Sequence, residues 1–294
     1  MRISVIIPAY NVENTIRKCL DSVLAQDYPL YEIIVVEDCS TDGTLEILRE
    51  YQRKAEDMLP EFILITHDQN QGLGITRMGG IAAATGDWLY FLDSDDYIDQ
   101  DAIGYLVKNA DDGEIITGGV GHYPLCGIDA ILHYKECKTT FLNNRLIKKE
   151  LFDYAPHSAM RYLEDFDTLP RLIYYANKCT FAPENKYHYN TGNRNSLNAT
   201  SSDLKRWIYL CLTNIHNYEF FRFRRPEWTR PLGYVLDIIM NLALIYGGSA
   251  ICPEYLQKYS AEVNEIRTHL VQVLSVPDLG WIVGGLSTTP NASR

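Results

Sequence analysis

Short apolar runs alternate with amphipathic stretches through the first hundred residues. The runs at 3–7, 32–36, 62–66 and 87–92 are rich in Ile, Val, Leu and aromatic residues and too short for buried helices. Each therefore predicts a strand covered on both faces, as in a parallel sheet. Pro8 lacks a backbone donor and is expected to end the first strand. Between the strands, Ile16, Cys19, Leu20, Val23 and Leu24 recur at three- and four-residue steps, which predicts a helix to about residue 26 with Asn11 as its N-cap. Leu45, Ile47, Leu48 and Tyr51 give a second helix, capped by Ser40 or Thr41. A third spans roughly 73–84, where Gly79, Gly80, Ala82, Ala83 and Ala84 allow close packing on a sheet and Gly86 provides a stop. Strand and helix thus alternate, the pattern of an α/β fold: a mostly parallel, Rossmann-like sheet flanked by helices and joined by right-handed crossovers.

The alternation weakens after Asp96. A helix is expected at 101–109, short strands at 115–117 and 131–134, and a short helix at 146–152. Glu164-Asp165 opens an amphipathic helix through Ala176, with Pro170 better suited to its first turns than its middle. A strand at 180–189 and a polar loop at 190–202 follow. Long helices are expected at about 203–222, 230–246 and 254–274, and a frayed end at 287–294. This divides the chain into a domain at 1–200, with halves at about 1–97 and 98–200, and a C-terminal helical extension at 201–294.

Composition narrows the function. With 46% hydrophobic residues in 294, a full core is available and global disorder is excluded. The 27 Lys and Arg against 38 Asp and Glu leave a net charge of −11, which argues against a nucleic-acid partner. Cys19, Cys39, Cys126, Cys137, Cys179, Cys211 and Cys252 are scattered with no CxxC pair, the usage of reduced thiols in a cytoplasmic protein rather than a zinc site. The apolar start is too short for a signal peptide. Leu232 to Cys252 is interrupted by Asp237 and Asn241, so a buried helix is expected there rather than a membrane span.

The chemistry gathers at strand ends. The last apolar run leads straight into Asp93-Ser94-Asp95-Asp96, and three like charges so close call for compensation, which a hard divalent cation supplies well. An acidic turn capping the next helix is the plainer alternative. Yet Tyr10-Asn11, Glu37-Asp38 and Asn70-Gln71 also follow strands. In a parallel sheet these ends share one edge, where ligands of open α/β folds bind. Four polar loops therefore converge on one cleft, suited to a nucleoside diphosphate carrying a sugar. There Asp38 can accept from a base N–H, Tyr10 can stack on the base, and Asp93 can accept from ribose hydroxyls. Asp95 can hold Mg²⁺ or Mn²⁺ on the phosphates, and Arg77 can add positive charge. Turn capping for Asp38, packing for Tyr10 and a solvated helix position for Arg77 are the alternatives.

Four segments carry a resemblance. Val5 to Asn11 with its Pro8, Val35 to Thr44, Asn70 to Gly74 with Arg77, and Phe91 to Asp96 together resemble the family 2 glycosyltransferases, which have a GT-A fold. The resemblance implies that Asp38 contacts the base, usually uracil, and that Asp93, Ser94 and Asp95 form the DxD motif with Asp95 on the metal. It departs from the family's usual pattern at Glu37, Cys39 and Met78. A later signature, an acidic pair and then an aromatic strand with a basic, serine-containing loop, is matched by Glu164-Asp165, Tyr187-His188-Tyr189 and Arg194-Asn195-Ser196. By resemblance Asp165 is the general base of an inverting displacement. Without it, Glu164 and Asp165 would read as helix-dipole partners. Glu164, His188, Arg194 and Arg145 are further candidates for diphosphate or acceptor contacts.

The leading expectation is a metal-dependent transferase that takes a nucleotide-diphosphate sugar, with a UDP-sugar as the favoured donor. Its acceptor would be a glycan or lipid-linked hydroxyl in bacterial surface polysaccharide synthesis. A nucleotidyltransferase is disfavoured because Pro8-Ala9-Tyr10-Asn11 lacks the glycine-rich, basic phosphate loop. A sugar-nucleotide sensor without turnover is the non-enzymatic alternative. Beyond residue 200, aromatic side chains lie among Arg206, Arg222, Arg224 and Arg225. They form either a surface for a peripheral contact with the cytoplasmic membrane face or a homodimer, or simply helices packed on one another.

Overall fold

The computed structural model describes residues 1–55, 60–119, 124–136, 141–190 and 203–229, with 231, 233, 237, 265 and 266. The chain forms two compact units, Met1–Thr200 and Ser201–Arg294.

The first unit is built on one seven-stranded sheet. Its strands are β1 (Ile3–Ala9), β2 (Glu32–Glu37), β3 (Glu61–Thr66), β4 (Trp88–Phe91), β6 (Ile115–Gly118), β7 (Arg145–Lys148) and β8 (Cys179–Ala182), and β5 (Tyr97–Ile98) pairs separately with β9 (Tyr187–His188). The order across the sheet is β3-β2-β1-β4-β7-β6-β8. β3, β2, β1 and β4 run parallel, β7 is antiparallel to both its neighbours, and β6 and β8 are parallel to each other. The sheet is mostly parallel, as the alternation of runs predicts.

Burial on both faces explains the unbroken apolar strands. Every residue of β1 and β2 is buried. On one face Val5, Ile7, Ile33, Val35 and Tyr90 join Ile16, Cys19 and Leu20 of α1 (Ile16–Leu24), Leu48 and Tyr51 of α2 (Thr44–Ala55), and Ile103 and Leu106 of α4 (Ala102–Lys108). On the other lies α3 (Leu73–Ala83), where a Cβ on Gly80 would come within 2.5 Å of Ile6 Cγ2. Only a residue without a side chain lets that helix lie so close.

Several local expectations are corrected. β1 continues through Pro8, which pairs with Val36. Ile6 O accepts from Leu92 N, and Ala9 O accepts from Asp38 N. Alternate residues of β1 thus turn to β4 and β2, and Pro8 turns to β4, which ends at Phe91. Its missing N–H costs no ladder bond there. Asn11 does not cap α1. It has φ 51°, and its Oδ1 accepts from Thr41 N at 2.8 Å, tying the end of β1 to the loop after β2. α1 begins at Ile16 instead. At α2, Asp42 rather than Ser40 or Thr41 accepts from the first turn, through Thr44 N at 3.0 Å.

Residues 131–134, expected as a strand, lie in α5 (Gly127–Glu136), whose buried Ala130, Ile131 and Tyr134 follow helical spacing. Residues 146–152, expected as a helix, are β7 followed by the short α6 (Leu151–Tyr154). A four-residue apolar run does not distinguish the two periods. The run at 180–189 splits into β8 and β9, and Pro170 lies within α7 (Glu164–Tyr175) rather than in its opening turn.

In the second unit α8 (Asp203–Arg224) buries Ile208, Cys211, Leu212, Ile215 and Phe221 and leads into the short α9 (Pro226–Thr229). Phe221 packs on Trp228 with ring centroids 5.8 Å apart. The guanidinium of Arg224 lies over Phe220. Among the described residues no helix is long and apolar enough to cross a membrane. The helices expected at 230–246 and 254–274, the apolar stretch to Cys252, most of the loop at 190–202 and the end at 287–294 lie largely or wholly outside the described residues.

Candidate active site

The parallel strands bring Tyr10, Asp38, His67 and Asp93 to one edge of the sheet, each just past the end of its strand. Because β7 runs the other way, it enters the sheet at that same edge, and Asn143 bridges to Phe91. Asn143 Nδ2 then lies 3.4 Å from Asp93 Oδ2.

Arg77 is the hub. It stands on α3, is 1% exposed, and places Nη2 2.6 Å from Asp93 Oδ1. Its Nη1 bonds Glu164 and lies 3.6 Å from Asp165 Oδ2. One buried cation therefore joins the acidic loop after β4 to the first turn of α7. The sequence reading placed Arg77 toward a ligand; in the structure it faces the protein's own acids. Burial alone would lower its affinity for a proton, but Asp93, Glu164 and Asp165 overcome that and hold it charged. Three carboxylates around one guanidinium still leave two formal negative charges in excess. Burial, joined by Asp165, pushes Glu164 well up. Burial also raises Asp165, with Arg77 opposing and Asp93 adding.

The turn before Glu164 is strained. Leu163 has φ 58° and ψ 29°, the left-handed region, with no glycine to relieve it. No pattern of apolar positions announces this conformation. Two hydrogen bonds hold it: Thr168 Oγ1 donates to Glu164 O at 2.7 Å and accepts from Ser158 N at 3.0 Å. His157 beside them is buried, and burial with Arg77's charge lowers it to about 3.

Asp38 ties together two loops of this edge. Its carboxylate accepts from Gln71 N and Gly72 N, both at 2.8 Å, and from His67 Nδ1 at 2.7 Å. Three of about four acceptor positions are filled, and the side chain is 3% exposed. Gly72, at φ 89°, makes this turn, and Arg161 lies against it and donates to Asn70 O at 3.1 Å. Pro8 is buried in β1, whereas Tyr10 is 45% exposed at the strand's end, open to a stacking ligand.

The acidic loop is anchored from both sides. Thr15 Oγ1 donates to Ser94 O at 3.2 Å, and Ser94 itself is buried. Asp96 is buried and bonded by Tyr187 Oη, and it accepts from Asn190 N at 2.7 Å. Burial and Asp93 lift Asp96 to about 7, against these hydrogen bonds. Asp95 is partly buried. His67, Asn143 and Leu163 were not singled out from the sequence, and Tyr187 entered only within the aromatic signature at 187–189; a strand-edge position was the signal available for His67 and Asn143.

Three further candidates are each engaged by the protein's own groups. Arg145 is 1% exposed, its guanidinium 4.9 Å from the centre of the Tyr134 ring, and it donates to Asn143 O. Glu164 is buried and paired with Arg77. His188 pairs with Asp99 at 2.6 Å and stacks on Tyr97. Arg194 lies outside the described residues.

A divalent cation fits the acids in one form. Among the described residues no three His, Cys, Asp or Glu side chains are grouped to hold a metal. The surplus of negative charge and the Asp93–Asp95 pair instead suit a cation that takes one or two carboxylates and completes its shell from phosphate and water, as Mg²⁺ does.

Comparison with known proteins agrees with this geometry. A family model described as glycosyl transferase family 2 matches residues 4–169. The poly(ribitol-phosphate) beta-glucosyltransferase of Bacillus spizizenii is 43% identical over 106 residues, 35% of this chain and 16% of that protein. The chain thus spans a small part of such curated relatives. The structure of Staphylococcus aureus TarS 1–349 with UDP-GlcNAc shares the fold at TM-score 0.59 and 21% identity, over 83% of this chain and 80% of that one. A mannosyltransferase from Pyrobaculum calidifontis, solved with GDP-Man and Mn²⁺, does so at 0.57 and 18%, over 93% and 87%. With a mixed, mostly parallel sheet, its acids gathered at the carboxyl edge and the family model covering more than half its length, this chain belongs to glycosyl transferase family 2 and has that family's GT-A fold.

Proposed function

We propose that this chain is an inverting, metal-dependent glycosyltransferase that moves a sugar from UDP to a hydroxyl of a bacterial surface polymer. The observation that carries the reading is the Arg77 junction: one buried guanidinium holds both Asp93, at the diphosphate end, and Asp165, at the acceptor end. Two functions of a transfer site thus share one fixed point. UDP as the carrier and a wall polymer as the acceptor rest on the relatives, among them a poly(ribitol-phosphate) glucosyltransferase and a structure holding UDP-GlcNAc.

The chemistry follows from the residues. Asp165, raised by burial, takes the acceptor's proton as the acceptor oxygen attacks the anomeric carbon. The new C–O bond forms as the bond to the diphosphate oxygen breaks, and the leaving diphosphate keeps the electron pair. A single base with no enzyme nucleophile means one displacement, and so inversion. Asp95, with Asp93, would hold a divalent cation, which offsets charge on the leaving group. Tyr10 stacks on the base, and Asp38 keeps the Gln71–Gly72 turn shaped beneath it.

Thermal unfolding with a panel of nucleotide sugars, with and without Mn²⁺, tests this. A ligand at 100 times its Kd stabilises by about 2.7 kcal/mol. Stabilisation by UDP-sugars that needs Mn²⁺ and disappears in Asp95→Ala is expected. Stabilisation independent of metal would overturn the assignment of the acids, and none from any nucleotide sugar would overturn the function.

A further inference from the structure

The reaction as proposed uses Asp93 and Asp95 but leaves two buried polar side chains beside them unexplained. Asp96 is 1% exposed and Tyr187 is 7% exposed. The Tyr187 hydroxyl donates to Asp96 Oδ2 and accepts from Asp93 N at 3.4 Å. The other Asp96 oxygen accepts from Asn190 N at 2.7 Å, and Asp96 N closes the turn onto Asp93 O at 3.0 Å. One hydroxyl thus touches both ends of the four-residue acidic turn. β5 and β9 hold it there, pairing Ile98 with Tyr187 and Tyr97 with His188. The ring of Tyr187 belongs to the apolar core, so its oxygen has no solvent alternative and its position is set by packing.

We propose that Tyr187 is a positioning residue for the transfer reaction: its bond to Asp96 fixes the Asp93–Asp95 turn in the form that binds a nucleoside diphosphate together with its cation. This rests on the glycosyltransferase reading above. Tyr187 touches neither the donor nor the metal in this role; it sets the direction in which Asp93 and Asp95 present their oxygens. Without the hydroxyl, Asp96 keeps only Asn190 N, Asp93 N loses its acceptor, and the turn is free to sample other shapes. The loss is then felt in binding that depends on the cation.

Tyr187→Phe removes one oxygen and leaves the ring packed. Calorimetric titration of UDP into the protein, with and without Mn²⁺, reads the effect with no need of an acceptor. Losing a hydrogen bond to a charged group predicts that Kd in the presence of Mn²⁺ rises about tenfold, while weak binding without Mn²⁺ changes little. Lys186→Ala is the control. It breaks ion pairs to Asp101 and Glu184 next to the same ribbon and makes no bond to the acidic turn; its Kd should match wild type even where its melting temperature falls. Asp96→Asn, which leaves one acceptor oxygen where the Tyr187 hydroxyl and Asn190 N–H now use two, supplies a second variant should Tyr187→Phe fold poorly, and the same direction of change is expected. A lower melting temperature with unchanged Kd in Tyr187→Phe and Asp96→Asn overturns the positioning role alone. Wild-type protein that binds no UDP with Mn²⁺ overturns the transferase reading and this proposal with it.

Discussion

Replacing Arg77 with Met asks whether one buried cation holds the acids of the site together. The guanidinium lies 2.6 Å from Asp93 Oδ1 and 3.6 Å from Asp165 Oδ2, and it also bonds Glu164. At 1% exposure, water cannot take its place. Methionine keeps most of the stem but leaves three carboxylates facing one another. Removing one partner of a buried ion pair costs about 3–5 kcal/mol. With a urea slope of about 2–3 kcal/mol/M, the unfolding midpoint drops by about 1–2 M. The pH dependence has a defined sign. Glu164 and Asp165 are raised in the folded state, so between the ordinary carboxylate range and their raised values the folded chain binds more protons than the unfolded one. Stability therefore falls as pH rises through that window. Arg77 opposes the upward shift, so its loss steepens the fall, and the defect is smaller at pH 5 than at pH 8. Urea unfolding followed by tryptophan fluorescence at both pH values measures this. A midpoint loss below about 0.3 M at pH 8, or one that does not change with pH, would refute the account.

Three further outcomes are expected. Asp165→Asn lowers UDP release from the donor by about 10²–10⁴-fold and leaves the Kd for UDP with Mn²⁺ within about threefold; a rate near wild type would remove Asp165 from the role of base. In Gly74→Ala the new Cβ meets Met160 O at 2.3 Å and Ser158 O at 2.6 Å, both backbone, so a loss of about 1–3 kcal/mol and a melting temperature several degrees lower are expected; an unchanged melting temperature would mean the 158–160 segment yields freely. His157, lowered to about 3 by burial, binds a proton more readily when unfolded, so its contribution to stability is present above its ordinary range and fades as pH falls toward 3; His157→Phe should give a shallower decline of the urea midpoint from pH 7 to pH 4, and an identical decline would show that another group is responsible.

The sheet was legible because its central strands β1 and β2 are buried on both faces, and the continuous apolar runs at 33–36 and 5–9 say so directly. The convergence of strand ends followed from parallel topology alone. Past Asp96 the runs shorten to four residues, as at 131–134 and 145–148, where helix and strand periods cannot be told apart and tertiary packing decides. At the site, the sequence located the carboxylates but not their partners. Arg77 reads as a charge turned toward a ligand, with a solvated helix position as the alternative, whereas the fold turns it toward Glu164, 87 residues on. The local signal at Asp38, an acid after a strand, does not record that Gln71 N, Gly72 N and His67 also arrive there through a separate crossover. Arg145, a candidate by resemblance, donates to Asn143 O and lies against the Tyr134 ring of α5, a segment expected as a strand.

These partners share a physical consequence. Asn11 binds Thr41, Asp38 binds the Gln71–Gly72 turn, Arg77 joins Asp93 to α7, and Tyr187 binds Asp96. Each bond joins a strand-end loop to another loop, helix or strand of the same unit, so each loop is held before any ligand arrives. Groups fixed in this way lose little freedom on binding, and dipoles already aimed need no reorganisation when charge develops. The same bonds explain why so few of the site's acids are open. Asp38, Glu164 and Asp96 are buried among these contacts, while Tyr10 is exposed and Asp93 and Asp95 are partly exposed. A cleft assembled from mutual loop contacts can change its acceptor-side segments without disturbing the donor side only if the Arg77 junction between the two is kept.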